Sequence, residues 1–600
     1  MNAKLPLFHK GEIGNIHFGQ RVQAQTNTMM YLFFAGVIIF FFILASRLFQ
    51  LTVVKGNYYR SLSEDNRIRE VVIEAKRGQI LDRRGYVIAE NSEVELREGA
   101  TRINSKRYYK NPEAYAHLLG YRQIADDRDI ENDTCLNKVR LGDKVGKKGI
   151  ERLFDCELRG KNGKKLVEVN AQGALERTLT VVPPQDGATV QLAIDSDLQQ
   201  RAYQLLQGKK GSVVVVNPQT GEILALTSNP SFNPQVFEDN DADKITELFQ
   251  DENRPLFNRS TEGTYPPGSV FKMVMIAAGL EEGAITKTDT IQDTGKVELG
   301  DREFGTWAYL EQGRTEGEID AVKSLQRSND IYYYKLSEKL GPEKMKKWAE
   351  IFGYQNLSGI GIEEVMGTIP SPFWKQDTLK EQWYTGDSYN FSIGQGYVLS
   401  TPLQVALATI PFANGGEYCK PMVVKNGSEF AVQPDCKPLP MSDETIATVR
   451  EGMHQACKPG GTGWPLFNFK VRDPKAPTPT TAVASGSAGM ATGSAALAQI
   501  SGIPEPTSMP IEELWDPNFL AASSSAYLRG YTTKDIDAAC KTGTAESGGK
   551  NKPHAWFTAF APYNDPEILV TVMLENAGQG SDMAAPVARE ILRMYFERQQ

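Results

Sequence analysis

Between Arg21 and Arg47 the chain carries no charged side chain, and its centre, Met29 to Ala45, is almost wholly aliphatic and aromatic. With its flanks this run approaches the ~20 residues that a membrane-spanning helix needs. A cleaved signal peptide is the alternative. Against it, the apolar run exceeds the usual roughly 7–15 residues and no small-x-small cleavage site follows. Instead Arg47 to Leu51 continue a helical pattern. The expectation is an uncleaved anchor over residues 29–53 that contacts membrane lipid. Lys4, Lys10 and Arg21 precede it, against Glu12 alone. The positive-inside rule then leaves a cytoplasmic tail, residues 1–28, and puts everything after about residue 55 outside the cytoplasmic membrane, in a periplasm or at the cell surface.

At 600 residues the chain holds several folding units. Its 40% hydrophobic and 23% charged residues exclude a multi-span membrane protein and a mainly disordered chain. Net charge is −8 although the first 55 residues are basic, so the body is acidic and a poor nucleic-acid binder. The five histidines lie far apart, and no Cys/His spacing suggests zinc; no metal or cofactor is expected.

Residues 56–182 mix short strand-like runs with charged loops. Arg77 to Gly85 stands out, two glycines bracketing a short apolar run that suits a strand between tight turns. Asp82 among arginines reads most simply as part of a solvated charged turn. After a boundary at Pro183-Pro184, the pattern predicts a helix over 195–207, a buried strand over 211–217, a turn at 218–221 and a strand over 222–226. That is a hairpin on a helix, the start of an α/β or α+β domain. A low-complexity insertion at about 471–536 follows later. From Ala476 to Pro504 it has no charge and too few large apolar groups to pack, which predicts disorder. Strands are expected at 554–561 and 568–575, and an amphipathic helix from about Ala585 to Glu597.

Three short motifs could carry chemistry. Pro266-Pro267-Gly268-Ser269-Val270-Phe271-Lys272 precedes an apolar helical run, so Ser269 and Lys272 share a face at the helix start. A desolvated lysine can activate a serine, although an ordinary N-terminal serine is the simpler reading alone. Ser328-Asn329-Asp330 offers a second hydroxyl and a carboxyl, or merely a helix cap. In Lys541-Thr542-Gly543-Thr544 the two threonines share one strand face. Gly543 would leave room for substrate, and a lysine with two hydroxyls suits a carboxylate. A plain turn before a strand is the alternative.

The three together, in this order, resemble the set of the penicillin-binding proteins and β-lactamases. Beyond them, Arg77 to Gly85 is similar to a box of the non-catalytic domain of class B penicillin-binding proteins. Gly149 to Phe154 with Leu158-Arg159-Gly160 resembles its second box, and Gly221 to Ala225 and Tyr265 to Ser269 are also typical. The resemblance covers roughly 30–470 and 539–598. Asn390 to Tyr397 and Thr401 to Gln404 are similar to the cell-elongation group; a division-type enzyme is the alternative. Asp330 stands where many members have Asn. Nothing before Pro183 reads as a glycosyltransferase.

The resemblance implies one transmembrane helix, a mixed β-rich pedestal over 56–182, and a transpeptidase domain over 183–600 with a central antiparallel sheet between helices. It implies peptidoglycan stem peptides ending in D-Ala-D-Ala as substrate. Ser269 would be the nucleophile and Lys272 the base. Ser328, with Lys541, would pass a proton to the leaving group. Backbone N–H groups of Ser269 and Thr544 would hold the oxyanion, and Lys541, Thr542 and Thr544 the terminal carboxylate. β-Lactams should acylate Ser269, and a membrane glycosyltransferase of the elongation complex is the expected partner. Competing readings are a carboxypeptidase, a β-lactamase or β-lactam sensor, and a non-catalytic scaffold. Position along the chain suggests cysteine pairs Cys135–Cys156, Cys419–Cys436 and Cys457–Cys540, six free thiols being the alternative.

Overall fold

The computed structural model describes residues 22–93, 102–103, 105–170, 174–475, 528, 531–548 and 551–598. The chain divides into two compact units: 1–74 with 95–103 and 162–183, and 75–94 with 104–161 and 184–600. In the first unit, helix Val22–Phe49 runs on through Gln50–Val54. The apolar window of its span Thr28–Val54 contains no buried residue, and the span is long enough to cross a membrane. Ile68–Ile73 and Gly163–Val169 pair antiparallel in a four-stranded sheet.

The second unit is built on a five-stranded antiparallel sheet. We number its strands β1 (Gly211–Val216), β2 (Ile223–Asn229), β3 (Ala539–Ala545), β4 (His554–Ala561) and β5 (Ile568–Leu574). Their order is β2-β1-β5-β4-β3, which leaves β3 at an edge. Side-chain alternation splits the strands between two cores. Val214, Trp556 and Met573 face one with helices α1 (Lys272–Glu281) and Pro402–Asn414, and Val213, Phe557 and Val572 face the other with Ser196–Leu205 and Gly580–Phe596. Helices on both faces of a central sheet are what the resemblance implies. The expected strands and first helix stand within a few residues of their predicted bounds. The last helix starts five residues early and takes Pro586 into its second turn, at the loss of one helical hydrogen bond.

The first of these cores also takes in Ile80, Ile88, Tyr115 and Leu118. Behind them lies a cluster of buried charge. Arg77 Nε donates to Glu151 Oε2 at 2.6 Å and Arg107 Nε to Oε1 at 2.7 Å, while Arg77 Nη1 stands 2.8 Å from Asp155. Burial alone would raise the Glu151 carboxyl, but the Arg107 and Arg77 charges override it and hold the carboxyl down at about 2. Asp82 departs from the solvated turn expected of it. It is fully buried, and its Oδ1 accepts the backbone N–H groups of Arg84 and Tyr86, both at 2.8 Å. The carboxylate is needed there to satisfy turn amides that the sheet does not.

The cysteines pair as Cys135–Cys156, Cys419–Cys436 and Cys457–Cys540, so the free-thiol alternative falls. At the insertion, Lys470–Arg472 pairs antiparallel with Thr533–Asp535. Residues 476–504, predicted disordered, and most of the tail lie outside the described residues.

Candidate active site

Ser269 sits in one tight 3-10 turn, Gly268–Phe271, and Lys272 opens α1 behind it. The turn requires two glycines. Gly268 has φ +57°, and its N–H donates to the Gly394 carbonyl at 2.8 Å. A Cβ on Gly394 would lie 2.4 Å from the Gly268 carbonyl oxygen. From the other side, Trp556 Nε1 on β4 donates to the Pro266 carbonyl at 2.9 Å. Ser269 is thereby fixed, half-buried, against the sheet.

Lys272 is fully buried. Its ammonium donates to Asp330 Oδ1 at 2.6 Å and to the Ser328 carbonyl at 2.8 Å, with Ser328 Oγ at 3.4 Å. Burial pushes this amine below the ordinary lysine range, and the Asp330 charge opposes the fall. Shared helical spacing predicts an amine directly on the Ser269 hydroxyl. Instead that hydroxyl makes no hydrogen bond among the described residues, and the amine is held toward Asp330. Catalytic hydrogen bonds are often completed only when substrate arrives.

Ser328 closes the helix Ala321–Arg327 in the left-handed region, φ +55°. Asn329 then caps the next helix, its Oδ1 accepting the Tyr332 N–H at 3.1 Å. The middle residue is thus a cap, while its two neighbours both meet the Lys272 amine. Lys541 on β3, also fully buried, donates to Ser328 Oγ at 2.8 Å and to the Thr542 carbonyl at 3.0 Å. It has no carboxylate within ion-pair reach among the described residues. Burial, then the Lys272 charge, push it well below the usual lysine range, with Asp330 opposing only in part.

Thr542 and Thr544 line the same cleft as Ser269, Ser328 and Asp330, a space of about 860 Å³. Thr542 Oγ1 lies 2.7 Å from Thr462 Oγ1. Thr544 Oγ1 donates to Gln579 Oε1 at 3.0 Å. The edge position of β3 leaves one side of its backbone unpaired by strand. Gly543 is glycine for packing: a Cβ there would lie 2.9 Å from Trp556 Cβ and 3.1 Å from the Pro267 carbonyl oxygen. The charged side chains lining the cleft are all acidic: Glu311, Asp330, Glu546 and Asp582. Sequence reading missed Thr462 and Gln579. Thr462 had one signal, the run Gly460-Gly461-Thr462-Gly463 just after Cys457; Gln579 had none.

The penicillin binding protein transpeptidase domain family matches residues 211–485 and 521–593, and the penicillin-binding protein dimerisation domain family matches 93–192. The peptidoglycan D,D-transpeptidase MrdA of Haemophilus influenzae is 30% identical over 94% of this chain and 91% of its own. The crystal structure of Pseudomonas aeruginosa PBP2 in complex with WCK 5153 is similar at TM-score 0.66 and 28% identity, over 88% of this chain and 97% of that one. A chain from a structure described as the coordination of polymerization and crosslinking by a peptidoglycan synthase complex matches at TM-score 0.67 and 25% identity, over 97% and 99%.

Proposed function

The chain belongs to the penicillin-binding protein transpeptidases, and from that premise we propose that it crosslinks peptidoglycan stem peptides through an acyl-enzyme on Ser269. The observation that carries the assignment of residues is the chain of contacts Lys272–Ser328–Lys541, which joins three separate segments beside Ser269.

Ser269 Oγ attacks the carbonyl between the two terminal D-alanines. Lys272, neutral when it acts, takes the hydroxyl proton. The backbone N–H groups of Ser269 and Thr544 hold the oxyanion. The C–N bond breaks, and the proton passes through Ser328, assisted by Lys541, to the departing D-Ala amine. Asp330 steadies Lys272 between these steps. The carboxylate of the leaving residue is received by Lys541, Thr542 and Thr544. An amine of a second stem peptide then attacks the ester, gives its proton to the same relay and restores Ser269. β-Lactams, which carry a carboxylate beside a strained amide, acylate Ser269 by the first half of this route.

In this reading residues 29–53 anchor the protein in the cytoplasmic membrane, with residues 1–28 inside, and 56–182 form a pedestal for the domain over 183–600. Similarity to PBP2 and to a chain from a peptidoglycan synthase complex supports a role in cell elongation beside a membrane glycosyltransferase. The test is crosslinking of stem peptides by the Ser269→Ala protein, with mass spectrometry of the penicillin-labelled peptide. Label on Ser269 and loss of crosslinking are expected; undiminished crosslinking removes the mechanism.

A further inference from the structure

We propose that Thr462 is a positioning residue for the reaction, presetting the Thr542 hydroxyl to donate to the carboxylate of the substrate. This rests on the reading of Thr542 as a carboxylate receptor. The two hydroxyl oxygens are 2.7 Å apart, so one hydrogen lies between them. A threonine hydroxyl owns one hydrogen and two acceptor positions. If Thr542 gave its hydrogen to Thr462, none would remain for an anion in the cleft. If Thr462 donates, Thr542 accepts and its own hydrogen is free to point at the ligand. An anion selects the second arrangement, and donation from Thr462 polarises the Thr542 hydroxyl in the helpful direction.

The loop that carries Thr462 is fixed from several sides. The Gly461 N–H donates to the Lys458 carbonyl and the Gly463 N–H to the Ala456 carbonyl, both at 2.8 Å. Arg327 Nη1 donates to the Gly460 carbonyl at 2.6 Å. The Cys457–Cys540 disulfide ties the start of the loop to β3, two residues before Thr542. A Cβ on Gly463 would fall 2.4 Å from Cys540 Sγ, so the loop lies directly on that bond. Thr542 is buried and Thr462 half-buried at the wall of the cleft.

The experiment measures acylation of the full-length protein by benzylpenicillin and by its methyl ester, which lacks the carboxylate charge. Thr462→Val keeps the shape and removes the donor. Acylation by benzylpenicillin should slow roughly three- to tenfold, the size of one neutral hydrogen bond, while the ester changes less than about twofold, and Thr462→Ser should restore the rate. Equal slowing with both compounds would mean a structural role and overturn the proposal, as would no slowing with either. Thr542→Val separates the two readings. If it discriminates between the compounds and Thr462→Val does not, this inference alone fails. If it does not discriminate, the carboxylate reading fails and takes the inference with it.

Discussion

Two groups of buried charge in the second unit differ in their accounts. Around Glu151, three arginines face three carboxylates: Arg77 and Arg107 bind Glu151, Arg77 and Arg159 bind Asp155, and Arg159 also binds Asp133. Around Ser328, two fully buried lysines have Asp330 between them. Desolvation works against the charged form in both places. Where each charge has a partner, the ionised forms survive, and Glu151 stays a carboxylate down to about pH 2. Where carboxylates are short, both amines are pushed toward neutrality. In the proposed mechanism the balanced cluster is therefore a fastener and the unbalanced one a reagent, because a base must be able to lose its proton near neutral pH.

The sharpest way to break this contrast is to remove one charge from each cluster. Lys272→Met should slow acylation by fluorescent penicillin by about 10²- to 10⁴-fold, the range of a positioned general base. An unchanged rate would place the base elsewhere. Glu151→Gln should do the reverse. It leaves Arg77 and Arg107 buried without their shared carboxylate, which costs about 3–5 kcal/mol of stability in urea unfolding. Acylation per folded molecule should stay as in the parent. Loss of activity without loss of stability in that variant would erase the distinction.

Acidity separates the clusters next. Lysine amines with lowered pKa make acylation rise as pH rises through the folded-state value. Asp330 is the charge that raises Lys272, so Asp330→Asn should move the acid limb of the pH–rate profile to lower pH. A shift upward would contradict the pairing. For Glu151 the folded value lies below the ordinary one of about 4.3. Its contribution to stability is complete above that value and is lost as pH falls toward about 2. Melting of the parent protein should steepen its decline in that window, and the decline should be weaker in Glu151→Gln.

The reagent cluster was largely legible in the sequence because its members come as short motifs. Ser269 with Lys272, Ser328 with Asp330, and Lys541 with its threonines each carry a local spacing. The pairing of Lys272 with Asp330 across 58 positions has no such trace, and neither has Thr462 on Thr542. The fastener was less legible. Arg77, Arg107 and Glu151 are ordinary charged residues in sequence, and only the fold brings them into a water-free place. Asp82 misled for the same reason: a run of charges suggests solvent, whereas burial depends on which turn amides need an acceptor. Strands of the sheet showed as short apolar runs bounded by turn residues. Their order did not, since β1 pairs with β5 from the far end of the chain.

The smallest expected effect concerns the covalent ties. Each cluster has one: Cys156 follows Asp155, and Cys540 precedes Lys541. The first pair closes 21 positions and the second 83. If disulfides act mainly by restricting the unfolded chain, the longer loop gains more, by about 1 kcal/mol. Replacing Cys457 and Cys540 by Ala should therefore cost about that much more than replacing Cys135 and Cys156, measured by urea unfolding of both double variants. Cys457 and Cys540 are also the more deeply buried pair, so lost packing adds in the same direction. A larger loss from the Cys135–Cys156 pair would mean that the charge cluster beside it needs the tie to hold its arginines on Glu151. The fastener would then depend on its disulfide, and the balance of charges would not be enough to explain its stability.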